Sequence, residues 1–253
     1  MPSETPALVI RDWSVGYLDQ PIVCDFETTV KAGTVTCLIG GNGAGKSTLL
    51  KSIFGLNKRF SGSMLFEGDP IHLLSPDARV RRGIGLVPQG RCNFPRMTVR
   101  ENLEMGAYTL PRAQASAAME RVVTLFPMLR RKWRIPAGYL SGGEQQVLET
   151  AMVLESAPRL LLLDEPSLGL SPKMQHEVFD TVERIREAGL TVVMAEQNAF
   201  ASLTISDTAI VLELGRKFME GPARTVMYDP RIRAAFLGGE PEATDRPQDT
   251  ITQ

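Results

Sequence analysis

Cysteine and histidine are scarce. The 253-residue chain has three of the first and two of the second. Cys24, Cys37 and Cys92 form no Cys-x-x-Cys pair and leave one over in any pairing, which argues against a disulfide framework or a zinc-site spacing. Charge of one sign is not in excess either. With 28 basic and 29 acidic residues the net charge is −1, so the basic surplus of a protein that wraps duplex nucleic acid is missing. No apolar run approaches the roughly 18 residues of a membrane span. The opening MPSETPALVI lacks the basic stretch and apolar core of a secretory signal. No repeat of solenoid or propeller period is visible. What remains is an ordinary globular composition, 43% apolar and 23% charged. It reads as one domain over residues 1–239, with the polar, acidic stretch 240–253 as a disordered tail.

The apolar pattern alternates between strand and helix. Residues 8–13 and 26–30 read as strands, and 34–39 (TVTCLI) as a buried strand. Leu49, Leu50, Ile53 and Phe54 follow at helical spacing, with Gly55 as the stop. From about residue 90 to 155 the pattern turns helical, beginning with the capping box Thr98-Val99-Arg100-Glu101. A helix carrying Ala118, Val122, Leu125 and Phe126 breaks at Pro127. Residues 160–163 return to buried strand. Ser171-Pro172 opens a helix with Met174, Val178, Val182 and Ile185 inward, and 191–195 (TVVMA) is the next strand. Residues 208–214 and 217–221 pair around Gly215. The alternation predicts an α/β fold with a parallel, doubly wound core and a helical insertion.

Gly40-Gly41-Asn42-Gly43-Ala44-Gly45-Lys46-Ser47 fits GxxxxGK[ST] in full, between a predicted strand and a predicted helix, and with Thr48 it forms the candidate nucleotide-binding loop. Glycines let backbone N–H groups approach phosphate oxygens, and the helix N-terminus adds partial positive charge there. Lys46 would reach the β- and γ-phosphates, and the Ser47 hydroxyl would ligate Mg²⁺. Downstream, four leucines run into Asp164-Glu165. The two acids are expected to emerge at the strand's end, where ligands sit in open α/β sheets. Asp164 suits Mg²⁺; Glu165, pointing elsewhere by strand alternation, suits polarising an attacking water.

Leu140-Ser141-Gly142-Gly143-Glu144-Gln145-Gln146 is a capping box with two poor helix formers in its first turn, which leaves N–H groups for an anion. Between the phosphate loop and LLLLDE, this LSGGEQQ resembles the signature of ATP-binding cassettes (the ABC family). The resemblance covers about residues 7–239. It implies a P-loop NTPase core with an N-terminal antiparallel β subdomain and a helical signature subdomain at about 90–155. It further implies head-to-tail pairing of two cassettes, in which Ser141, Gly142, Gly143 and Glu144 complete the partner's ATP site. Other positions carry over singly. Tyr17 matches the aromatic residue that stacks on adenine. Gln89 matches the glutamine that links core to helical insertion and contacts Mg²⁺ and water. Ser167 begins the loop that crosses to the partner.

Three departures stand out. Cassettes commonly carry a switch histidine on a pattern like E-H-D. Here Glu196-Gln197-Asn198 follows the strand, and neither His72 nor His176 can take that place. A glutamine amide hydrogen-bonds a phosphate oxygen but carries no charge. Leu170 stands where many cassettes have Asp, and Met152 where such cassettes usually have Arg. VPQGR, FPRMTVRENLEMGAY, DEPSLGLSP, AEQNA and the closing 229–239 stretch resemble the LivF-type ATPase subunits of branched-chain amino acid importers; importers of related amide or carboxylate solutes share much of this pattern. The implied function is ATP hydrolysis that drives an importer from the cytoplasmic face of the membrane. The implied partners are a second cassette (itself or a related chain), two permease subunits and, indirectly, an external solute-binding protein. Two alternatives are a soluble non-transport ABC ATPase and a nucleotide switch with weak hydrolysis.

Overall fold

Two β-sheets divide the apolar positions between them, and one helix is packed into the same core as both. The structure, a computed structural model, describes residues 5–237, so the tail expected at 240–253 lies outside the described residues. The strands are β1 (Leu8–Tyr17), β2 (Gln20–Val30), β3 (Val35–Ile39), β4 (Lys58–Phe66), β5 (Asp69–Pro70), β6 (Ile84–Val87), β7 (Leu160–Asp164), β8 (Thr191–Glu196), β9 (Thr208–Glu213) and β10 (Arg216–Pro222). The principal helices are α1 (Lys46–Phe54), α2 (Pro76–Arg81), α3 (Val99–Gly106), α4 (Arg112–Leu125), α5 (Pro127–Arg131), α6 (Gly142–Leu154), α7 (Pro172–Glu187), α8 (Ala199–Thr204) and α9 (Ala223–Met227).

The first sheet is antiparallel, in the order β2-β1-β4-β5. The second runs β10-β9-β3-β8-β7-β6, parallel throughout except for β10 at its edge. Alternation explains the four consecutive leucines. Leu160 and Leu162 face a core shared with α1 and the antiparallel sheet, while Leu161 and Leu163 face α6, α7 and α8. A strand covered on both faces has no polar side to show. In α1, Leu49, Leu50 and Ile53 pack into the same core as Trp13, Phe26 and Leu162, and Trp13 Nε1 donates to Ser52 Oγ at 2.9 Å.

The helical segment begins later than expected. Residues 90–98 are not helical, and α3 starts where the Thr98–Glu101 capping box closes in both directions. On α7 the inner face is Val178, Phe179, Val182 and Ile185, with Met174 only half-buried. The register then fixes the rim that matters. Ile39 pairs with Glu196, and Ala195 with Asp164, so β3, β8 and β7 end side by side.

Candidate nucleotide site

β3 runs straight into the phosphate loop. A Cβ on Gly40 would lie 2.4 Å from the Leu212 carbonyl oxygen, so only glycine lets the loop leave this close to β9. Gly45 precedes α1 at φ 101°, with a Cβ there only 2.8 Å from Val23 Cγ2. The helix has no side-chain cap and no acid in its first turn, which leaves its N–H groups and dipole to an anion. Lys46 Nζ donates to the carbonyls of Gly40 at 2.8 Å and Gly41 at 3.3 Å, and lies 3.8 Å from Glu165 Oε1. A positive charge thus sits against two backbone carbonyls and one carboxylate.

Asp164 corrects the sequence reading: it does not emerge. The residue is 1% exposed, with Oδ1 accepting from Ser47 Oγ at 2.7 Å and Lys51 Nζ 3.7 Å from Oδ2. Oδ2 is buried and has no hydrogen-bond partner among the described residues. A hydroxyl and an under-coordinated carboxylate are the donor set Mg²⁺ takes from a protein when phosphate oxygens supply the rest. The residues therefore fit the ion. Among the described residues no cluster of three or more His, Cys, Asp or Glu offers an all-protein cage. Glu165 does turn away from Asp164, but not by strand alternation. β7 ends at Asp164, and Glu165 is in the left-handed region at φ 52°, its N–H donating to the Ala195 carbonyl at 2.9 Å.

Gln89, two residues past β6, donates from Nε2 to Glu165 Oε2 at 2.9 Å. A cleft of about 350 Å³ is lined by Tyr17, Ile22, the loop residues Asn42, Gly43, Ala44, Gly45, Lys46, Ser47 and Thr48, and Glu165. The exposed ring of Tyr17 is thus brought to the phosphate loop. A larger groove of about 470 Å³ near Phe126 and Arg184 holds none of the phosphate-loop residues, so size does not locate this site.

Two sequence-predicted residues take less exposed or less committed positions. Ser167 is 2% exposed, and its hydroxyl donates to Glu196 Oε2 at 2.9 Å, turned into its own chain rather than out to the cleft. Gln197 is exposed at the end of β8; its N–H donates to Glu196 Oε2 at 3.2 Å, and its side chain makes no hydrogen bond among the described residues. Glu196 was missed by sequence reasoning, because a carboxylate at a strand end reads as solvated. It is 1% exposed; burial pushes its carboxyl up to about 7 against the donors on Ser167 and Gln197, and the charge of Glu165 adds to the rise.

The signature residues sit apart from this cleft. Ser141 caps α6, accepting from Glu144 N at 3.3 Å, while Glu144 returns to Ser141 N at 3.0 Å and pairs with Lys132. The first-turn N–H groups of Gly142 and Gly143 are left for an outside acceptor. Gly142 lies against Leu170 of the loop after β7, where a Cβ would come within 2.6 Å of Leu170 Cδ2. Together with Gln89 and Glu165 these loops border a second cleft of about 420 Å³.

A loop of this geometry at the end of a parallel strand, with a buried acid on its serine, defines a nucleoside-triphosphate-binding P-loop protein. The ABC transporter family profile matches residues 23–168, and the chain belongs to that family. Its relatives include the high-affinity branched-chain amino acid transport ATP-binding protein BraG of Pseudomonas aeruginosa, 43% identical over 215 residues, covering 85% of this chain and 92% of that one. They also include the probable branched-chain amino acid transport ATP-binding protein LivF of Archaeoglobus fulgidus, 37% identical across 89% of this chain and 96% of that one. Among solved structures, the ADP conformation of MJ1267, an ATP-binding cassette of an ABC transporter, superposes with a TM-score of 0.81 at 26% identity, over 92% of this chain and 99% of the other. The cassette fold expected from the signature is the fold observed.

Proposed function

We propose that the chain is the ATP-hydrolysing, energy-coupling subunit of an importer of branched-chain amino acids or related small amide or carboxylate solutes. One observation carries this reading. A chain 43% identical over most of its length to a branched-chain amino acid transport ATP-binding protein joins Lys46, Glu165 and Gln89 by direct contacts beside the bonded pair Ser47 and Asp164 at its phosphate loop.

ATP binds with its adenine on Tyr17 and its phosphates in the loop Gly40–Thr48, where backbone N–H groups and Lys46 neutralise them. Ser47 and Asp164, with Gln89, would hold Mg²⁺, which would supply positive charge to the phosphates. Glu165 polarises the attacking water, and Gln89 keeps its carboxylate aimed. Gln197 donates its neutral amide to a γ-phosphate oxygen. Ser141, Gly142, Gly143 and Glu144 complete the ATP site of a second cassette, which is this chain or a related one. Closure of the pair is passed through the helical segment to two permease subunits, and an external solute-binding protein delivers the solute. By its likeness to transport ATP-binding subunits the chain rests on the cytoplasmic face of the permeases; among its described residues no helix is long and apolar enough to cross a membrane.

The test joins fractionation to turnover. Tagged full-length chain should sediment with membranes at physiological salt and hydrolyse ATP. Lys46→Ala should lower turnover at least about 100-fold by removing the charge on the terminal phosphates. Glu165→Gln should keep ATP binding while slowing hydrolysis about 100- to 10,000-fold. A chain that stays out of the membrane fraction, or a Glu165→Gln protein at wild-type rate, overturns the proposal.

A further inference from the structure

The turn that carries Glu165 is held at both ends by β8. Its near end is the backbone bond from Glu165 N–H to the Ala195 carbonyl at 2.9 Å. Its far end is Ser167, which donates its N–H to Glu196 Oε1 at 2.9 Å and its hydroxyl to Glu196 Oε2, also at 2.9 Å. The second oxygen of Glu196 also accepts the N–H of Gln197 at 3.2 Å. One buried carboxylate therefore ties the residues after β7 to the first residue after β8. No basic side chain forms an ion pair with Glu196 among the described residues, so these three donors are what compensates its burial.

The conformation above this anchor is a costly one. Glu165 is a non-glycine residue at φ 52°, a region that L-residues enter only when the surroundings over-determine it. The left-handed turn brings Glu165 within reach of both Lys46 and Gln89, rather than leaving it in line with β7. Release of Ser167 would let the turn relax and carry the Glu165 carboxylate off its partners. It would at the same time free the backbone of Gln197.

We infer that Glu196 is a positioning residue for hydrolysis, bracing Glu165 through Ser167 and setting the start of the Gln197 segment. The inference rests on the reading of Glu165 as the water-polarising residue. It assigns Glu196 no contact with ATP, so substrate affinity should not depend on it.

The experiment measures kcat and KM for ATP in full-length chain purified with its co-purifying subunits. Glu196→Ala should lower kcat roughly 10- to 100-fold with KM within about 2-fold, the signature of an interaction needed in the transition state alone. Ser167→Ala keeps its N–H bond and should lose only about 2- to 5-fold. Glu196→Gln keeps an acceptor for Ser167 N–H but turns a donor toward Gln197 N–H, so it should fall between the two. Should Glu196→Ala fail to fold, the Gln and Ser167 variants decide the matter by the same split. The readout that a merely structural role would not give is the double variant. In a Glu165→Gln background, Glu196→Gln should slow the residual rate by no more than about 2-fold, since it acts through a group already disabled. Wild-type kcat in the Glu196 variants, a parallel loss of ATP affinity, or fully multiplicative losses in the double variant would each overturn the inference. Wild-type turnover in Glu165→Gln alone would instead remove the reading it rests on.

Discussion

The side-chain amide of Gln89 donates to Oε2 of Glu165 at 2.9 Å across 76 residues of sequence. The two acceptor oxygens of Glu165 are thereby divided: one takes the amide of Gln89 and the other faces the ammonium of Lys46 at 3.8 Å. The carboxylate is thereby held from two sides, by a hydrogen bond from Gln89 and by the ammonium of Lys46. Gln89 also marks where the core gives way to the segment leading to α3, so its position reports on both parts.

Removing the amide should therefore cost turnover more than binding. Gln89→Ala should lower kcat about 10-fold while KM for ATP changes less than about 3-fold. Gln89→Glu should do worse, because two carboxylates at that distance cannot both ionise easily, and its hydrolysis limb should move to higher pH. Steady-state ATPase rates against pH for the three proteins check this. A Gln89→Glu profile that overlays the wild type would sink the argument.

The signature turn offers a test of the composite site. Ser141→Arg places a bulky cation at the glycine-lined end of α6 and removes the cap on Glu144 N–H, the latter a loss of about 1 kcal/mol. Ser141→Ala removes the hydroxyl, and the cap with it, without adding bulk or charge, and serves as the control. Hydrolysis should vanish in the arginine variant and persist, reduced, in the alanine variant, while ATP affinity of the separated monomer stays near wild type in both. Sedimentation of Glu165→Gln protein in ATP and Mg²⁺ should reveal a cassette pair that Ser141→Arg abolishes. A strictly monomeric chain with full activity contradicts the shared site.

Local chemistry was legible in the sequence, and long-range burial was not. The phosphate loop, both capping boxes and the strand at 160–163 depend on residues within a few positions of one another, and each stands where it was expected. β4 and β6 carry weaker signals. Lys58–Phe66 is exposed over its first half and Ile84–Val87 is only four residues long, so neither alternates over enough positions to declare a strand. Asp164 is expected from the sequence to emerge at its strand's end, and nothing local singles out Glu196, because a strand end usually meets water. Their burial follows from the order β3-β8-β7 and from α1 lying over the rim, which no local window contains. The bond from Ser167 to Glu196 is hidden from the sequence for the same reason, since the two lie 29 residues apart.

A second unread acid lies in the helical segment. Glu155, just past α6, is fully buried, and neither carboxylate oxygen has a hydrogen-bond partner among the described residues. The close crossing of α3 and α6 contributes: a Cβ on Gly106 would lie 2.8 Å from Met152 Cα and 2.4 Å from Glu155 Oε2. Burial pushes the Glu155 carboxyl up to about 8, with Arg121 opposing. The folded state then holds a proton that the unfolded chain releases above its ordinary value of 4.5. Unfolding releases that proton, so this group's contribution to stability is complete below pH about 4.5 and is lost as pH rises toward 8. The slope is at most about 1.4 kcal/mol per pH unit. Glu149 and Glu196, also raised by burial, act in the same direction. Urea unfolding from pH 5 to 8.5 should show Glu155→Gln gaining on the wild type as pH rises. A constant difference between the two across that range would remove Glu155 from the account.

Gln197 is the position where this cassette departs furthest from a histidine switch. One explanation that would leave it idle is that it merely caps α8. The cap belongs to Asn198, whose side chain accepts from Ala201 N at 3.4 Å, so Gln197 is free of that duty. Its exposed amide follows directly on the rim formed by β3, β8 and β7, within one residue of the carboxylate that anchors the Glu165 turn. A neutral donor there should support hydrolysis without titrating. Gln197→Ala should lower turnover about 10- to 1000-fold, the range seen when a transition-state hydrogen-bond donor is removed. Gln197→His keeps a comparable reach and should retain measurable activity with a new inflection near pH 6.5. An inflection near neutrality that the wild type and Gln197→Ala share belongs to another group, and Glu196, pushed up to about 7, is the nearest one. ATPase rate against pH for the three proteins in the assembled complex separates these contributions. An unaltered rate in Gln197→Ala, with Lys46→Ala still inactive, would mean that hydrolysis at this site proceeds without the switch position.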